Sequence, residues 1–141
     1  SMLELGCKGF FIMAEGSQID WEGHDNDFFG QYDEIEEFEN AVTSALAFAK
    51  NRQDTLVLVT ADHETGGLLI EKDTLRYKET NQMKVTWNTA IGKGDHTGAM
   101  VPIFAYGPGS ENFTGILDNT DIFFAMQEAI GINDLPDGTC Y

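Results

Sequence analysis

The seven residues Thr55 to Ala61, TLVLVTA, constrain the fold most. They are β-branched and apolar on both faces, as in a strand covered on both sides at the centre of a parallel sheet. Such a strand needs helices over it. A helix is predicted just upstream, from Asp33 to Asn51. Ile35, Phe38, Val42, Ala45, Leu46 and Ala49 recur there at helical spacing on one face. Asp33 and Glu36 make a capping-box-like start. Glu34, Glu36, Glu37 and Glu39 crowd the first turns, and Lys50 and Arg52 sit at the far end, both as the helix dipole favours. Lys8 to Ala14 is a further apolar strand candidate. Strand, helix and strand in this order predict a βαβ unit and an α/β class.

The rest of the chain fits one domain of 141 residues. Gly66 and Gly67 precede a short apolar run, Leu68 to Ile70. Residues 71–93 are polar, with alternating pieces such as Met83 to Trp87, and predict a small antiparallel flap. Val101 to Tyr106 is a third strand, confined by Pro102. A turn at Gly107-Pro108-Gly109 follows. Asn119 to Ile130 predicts a second amphipathic helix, capped by Asp118 or Asn119 and stopped by Gly131. No internal repeat or low-complexity tract occurs.

Composition excludes several classes of function. At 42% hydrophobic the chain is not of disordered type. No apolar run is long enough to span a bilayer. Asp and Glu number 24 against 8 Lys and Arg, a net charge of −16, which leaves no basic surface for a nucleic-acid backbone. Most of this charge reads as an acidic, soluble surface. Cys7 and Cys140 lie near opposite ends, form no CxxC pair and have no nearby histidine, so no zinc-ribbon or thioredoxin motif exists. They can pair or stay free. No signal peptide is visible, and the opening SMLELGCKGFF reads as a helix tail entering a strand, a cut edge.

Chemistry concentrates around the three histidines, His24, His63 and His96. Each follows a polar turn close to an aspartate: Asp20, Asp62 and Asp95. Asp20 and His24, four apart, share a face if the loop makes one helical turn. Asp62 and His63 follow TLVLVTA, at the carboxyl end of a strand where α/β sheets bind ligands. His96 sits in GDHTG, whose glycines permit tight turns. Taken singly, Asp20 and His24 read better as loop caps, Asp62 as a helix cap and His96 as a surface residue. Together, mixed Asp/His ligation suits zinc or a similar transition metal. The number of candidates suggests at least two metals, an arrangement that clamps both oxygens of a phosphoryl displacement. Glu15, an oxygen ligand, suits magnesium better. Glu64, Asp25 and Asp27 read as solvated neighbours. Ser17 has no neighbouring base and Ser44 lies inside the helix, so neither reads as a nucleophile.

The segments GFFIMAEGSQIDWEGHDND, TLVLVTADHETGG and HTGAMVPIFAYGPGS, with the helix after ILDNTD, resemble the C-terminal half of alkaline phosphatases. The resemblance keeps the family's order over nearly the whole chain and is weakest at residues 71–93, where the family carries variable flap or crown segments. It implies a three-layer α/β sandwich, with this chain providing the C-terminal part of a central, mostly parallel sheet. It implies that Asp20, His24 and His96 bind a first zinc, Asp62 and His63 a second, and Glu15 a magnesium. Trp21 stands at a family-variable position near the substrate phosphate. The family's Asp-Ser-Ala nucleophile motif is absent. Thr43-Ser44-Ala45 lacks the aspartate and sits mid-helix, and neither Arg52 nor Arg76 lies in a site segment.

The expectation is therefore the C-terminal portion of a phosphate monoesterase that acts through a phosphoserine intermediate, inactive alone because its serine lies upstream. A homodimer, or self-association through an exposed sheet edge, is expected. The resemblance implies an extracytoplasmic setting. The competing expectations are a stand-alone, non-catalytic metal-binding or interaction module, and a superfamily relative acting on phosphodiesters or sulfate esters.

Overall fold

The computed structural model describes residues 9–72, 83–90 and 94–130. Lys8, Cys7, Cys140, Arg76, Gly131 and most of the expected flap lie outside them. Two helices open the described chain: α1 (Gln18–His24) and α2 (Phe28–Lys50). Asn26, in the left-handed region at φ 55°, turns the chain between them. The α2 start lies upstream of the predicted Asp33. Asp27 caps it, its carboxylate accepting from the N–H groups of Phe29 at 3.0 Å and Gly30 at 3.1 Å. That satisfies two otherwise orphaned donors, so the helix begins there and Asp33 falls inside it.

Six short strands follow: β1 (Val57–Thr60), β2 (Glu64–Thr65), β3 (Leu68–Lys72), β4 (Met83–Trp87), β5 (His96–Thr97) and β6 (Ile103–Tyr106). They pair as β1–β6, β2–β5 and β3–β4, all antiparallel. The β3–β4 ribbon agrees with the predicted antiparallel excursion. The predicted parallel βαβ unit is not formed among the described residues. The apolar run Phe10–Ala14 enters no ladder and meets α2 instead through Phe10, whose ring lies 6.0 Å from that of Phe48. Val57–Thr60 takes the later strand β6 as its neighbour, in the register Val57↔Tyr106 to Thr60↔Ile103.

A 3₁₀ turn at Ser110–Phe113 leads to α3 (Asn119–Ala129). Asp118 is its cap: its carboxylate accepts from Thr120 N–H, while its own N–H donates to Asp121. Among the described residues only Ala49, at 1% exposure, and Phe113, at 5%, are fully buried apolar side chains. Met13 is 80% exposed and Phe104, on β6, 64%. Helices α1 and α2 pack on one another, and α1 lies against β2, which brings Asp20 and His24 beside the strand that pairs with that of His96.

Candidate metal centre

Asp20 and His24 project from one turn of α1. Their positions depend on groups distant in sequence. Thr65, on β2, donates its hydroxyl to Asp20 Oδ1 at 2.5 Å. His24 Nδ1 lies 2.6 Å from the Gly94 carbonyl, and Gly94 N–H donates back to the His24 carbonyl at 3.0 Å. The Gly94 carbonyl can only accept, so Nδ1 of His24 carries the proton and Nε2 presents a lone pair. Gly94 is required here, because a Cβ on it would sit 2.5 Å from the His24 carbonyl oxygen.

His96 arrives on β5, held by the β2–β5 ladder in which Thr65 pairs with His96 and Glu64 with Thr97. His24 Nε2 and His96 Nε2 are 3.2 Å apart. His24 Nε2 lies 3.3 Å from Asp20 Oδ2, and His96 Nε2 lies 3.4 Å from Asp20 Oδ1. Ligands about 2.0–2.2 Å from a tetrahedral zinc stand about 3.3–3.6 Å from one another. The two imidazole nitrogens stand close to such a separation, Asp20 turns one carboxylate oxygen toward each, and one donor atom from each of the three residues falls within 4.8 Å of the other two. The residues fit the metal.

Electrostatics favour the same arrangement. Burial pushes the Asp20 carboxyl up, but the Thr65 hydrogen bond and the imidazoles of His24, His96 and His63 outweigh it and hold it below the usual range. The hydrogen bond to Gly94 raises His24; burial opposes this, and Asp20, Asp95 and Asp25 add to it. A cation at this point meets an ionised carboxylate and two ring nitrogens.

The other expected ligands are placed differently. His63 stacks on His96, ring centroids 3.5 Å apart, and its Nε2 lies 3.2 Å from Asp62 Oδ2. The Asp62 side chain is 86% exposed. Asp62 and His63 therefore form a pair beside the triad, without a third described ligand. Glu15 is exposed and lines an open recess of about 220 Å³ with Glu34, Glu37 and Phe38. Among the described residues it joins no metal-ligating group.

Sequence reasoning missed the supports. Glu64 is no solvated neighbour: it accepts from the N–H groups of Gly67 at 2.8 Å and Leu68 at 3.2 Å, and from the Thr97 hydroxyl. Asp27 caps α2. Thr65 carried no signal beyond a hydroxyl two places after His63. A polar residue directly before paired glycines, next to ligand candidates, is the clue that could have found it.

Asp20 and His24 on α1 and His96 on β5 make this an α/β chain with a candidate metal centre. The particular family is shown by comparison. The family model described as "Alkaline phosphatase" matches residues 1–83 and 70–132. The chain belongs to the alkaline phosphatase family. It is 35% identical to "Alkaline phosphatase 3" of Bacillus subtilis (strain 168) over 193 aligned positions, covering 89% of this chain and 42% of that protein. The solved alkaline phosphatase of the Antarctic bacterium TAB5 is 44% identical, with a TM-score of 0.76 over 86% of this chain and 35% of that one. A mutant of that enzyme, solved with Mg bound in its M3 site, is similar at 41% identity and a TM-score of 0.76, over 86% and 36% of the two chains. The fold is the α/β fold of alkaline phosphatases. The chain spans less than half the length of these relatives.

Proposed function

We propose that this chain forms the metal-binding part of a site that hydrolyses phosphate monoesters through a phosphoserine intermediate. The observation that carries this is the convergence of Asp20, His24 and His96, with one donor atom from each within 4.8 Å of the other two. These three would hold a first zinc, Asp62 and His63 a second, and Glu15 a magnesium. Bound zinc would supply Lewis acidity toward phosphoryl oxygens and bring the pKa of a bound water down to about 7.

The chain's own residues prepare that chemistry. Gly94 fixes the His24 tautomer so that Nε2 faces inward. Asp20 stays ionised and contributes negative charge. Neither candidate serine serves as nucleophile: the Ser44 hydroxyl donates to the Asn40 carbonyl inside α2 at 2.9 Å, and Ser17 stands before α1 without a base. With the family's Asp-Ser-Ala motif absent from the sequence, this reading takes the attacking serine from residues outside these 141. The uncovered side chains Met13 and Phe104 support cover by further protein, either the same longer chain or a second copy. Residues 71–93 are read as a variable flap- or crown-like segment, and the two family matches meet at its start, over residues 70–83. An extracytoplasmic setting goes with this reading. Among the described residues no helix is long and apolar enough to cross a membrane.

Calorimetric zinc titration of the purified chain tests the proposal. One tight site is expected, lost in His24→Ala and in His96→Ala. Turnover of p-nitrophenyl phosphate should be absent with zinc and magnesium present. Turnover, or zinc binding indifferent to both substitutions, would overturn the assignment.

A further inference from the structure

Thr65 stands between the two groups of candidate ligands and touches both. Its hydroxyl donates to Asp20 Oδ1 at 2.5 Å, and the same oxygen lies 3.3 Å from His63 Nδ1. A hydroxyl has one proton. Committing it to Asp20 leaves the oxygen only an acceptor toward His63. His63 Nδ1 must then carry its ring proton, and Nε2, 3.2 Å from Asp62 Oδ2, presents a lone pair. Two acceptors facing one another across that distance are reconciled by a shared proton or a metal cation.

The placement of Thr65 is fixed from three sides. It is 9% exposed. Its backbone pairs with His96 across the β2–β5 ladder. Its methyl packs on α1 where Gly23 leaves room, since a Cβ on Gly23 would stand 3.0 Å from Thr65 Cγ2. With the methyl seated there, the hydroxyl is directed at the ligands.

We propose that Thr65 is a positioning residue that couples the Asp20–His24–His96 centre to the Asp62–His63 pair, one hydroxyl setting the ligand face of both. The coupling rests on the metal-binding reading above; the tautomer assignment does not. Metal-binding histidines characteristically donate their second nitrogen to a fixed partner, whose loss costs about 10–100-fold in metal affinity or activity.

The test uses Thr65→Val, which keeps the shape and removes the hydroxyl, and Thr65→Ser, which restores it. Circular dichroism checks folding, and Thr65→Ala replaces the valine variant if that one misfolds. The first readout needs no metal. The chain has only three histidines, so nitrogen-detected NMR resolves each ring tautomer at a pH above their titrations. His63 is expected as the Nδ1–H form in the wild type and in Thr65→Ser, and shifted from it in Thr65→Val. His24, held by Gly94, should stay unchanged in all three. An unaltered His63 signature in Thr65→Val overturns the proposal.

The second readout is zinc affinity by chelator competition. Thr65→Val should bind about 10–100-fold more weakly, and Thr65→Ser within a few-fold of wild type. Equal affinity in Thr65→Val overturns the coupling while the metal reading stands. A wild-type chain that binds no zinc overturns the metal reading and the coupling with it, and the tautomer shift alone then decides whether Thr65 orients His63.

Discussion

Removing the Glu64 carboxylate tests how the turn that carries His96 is held. Glu64 is half-buried at the start of β2, opposite Thr97. One oxygen accepts from Gly67 N–H at 2.8 Å and Leu68 N–H at 3.2 Å; the other accepts from the Thr97 hydroxyl. Gly66 and Gly67, at φ 81° and 63°, bend the chain so that these N–H groups converge on the carboxylate. Glu64→Ala leaves three donors without it. A hydrogen bond to a charged group contributes about 1.5–3 kcal/mol, and water replaces part of that at a half-exposed site. The expected loss is therefore about 2–4 kcal/mol, or roughly 6–15 °C in Tm at this chain length. Glu64→Gln keeps one oxygen for the two N–H groups and turns its amide toward Thr97, whose hydroxyl can accept. Its loss should stay under about 1 kcal/mol. Urea denaturation of the metal-free protein measures both. An alanine variant within about 0.5 kcal/mol of wild type, or a glutamine variant that falls as far as alanine, would refute the anchoring role.

Gly94→Val should separate His24 from His96, because its Cβ would lie 2.5 Å from the His24 carbonyl oxygen and 2.8 Å from its Cα, both backbone atoms that cannot step aside. Zinc affinity should fall at least about tenfold with helical circular dichroism retained; wild-type affinity would contradict the close-approach argument. The raised pKa of His24 gives the metal-free protein a stabilising contribution that is full below about pH 6.5 and lost as pH rises through the raised folded value. Zinc competes with the proton for the same nitrogen, so its affinity should climb over that window. Thermal melts against pH should show the loss in wild type and not in His24→Gln, and identical profiles would count against it. The uncovered apolar side chains predict concentration-dependent association of the isolated chain in sedimentation velocity, and a monodisperse monomer would refute it.

The helices were legible where their signal is local. Val42, Leu46 and Ala49 repeat at helical spacing, and they lie half-buried or buried on α2. The α2 start was misread because Asp33 with Glu36 and Asp27 offer similar capping chemistry. What decides is the left-handed Asn26 just before Asp27, a conformation that asparagine tolerates better than most residues but does not dictate. The strands of Thr55–Ala61 and Val101–Tyr106 were legible as apolar runs, but their pairing was not. Direction depends on which distant segment comes alongside, and here residue 57 meets residue 106. The run after Lys8 shows the same limit, since apolar residues mark a segment for burial without naming what covers it.

The site divides along a similar line. Histidine is rare in this chain, so His24, His63 and His96 stood out, and the four-residue step from Asp20 to His24 reads directly as one helical face. Their supports are common residue types whose meaning depends on contacts across 70 residues, as between His24 and Gly94. A ligand without such a support is only a polar side chain. Gly94 makes the His24 Nε2 a lone pair, Thr65 does the same for His63, and Glu64 fastens the turn that delivers His96. Substitutions at these three should therefore lower metal affinity while every candidate ligand stays in place. Reading ligands by type locates such a centre, and reading who accepts each proton tells whether it can hold an ion.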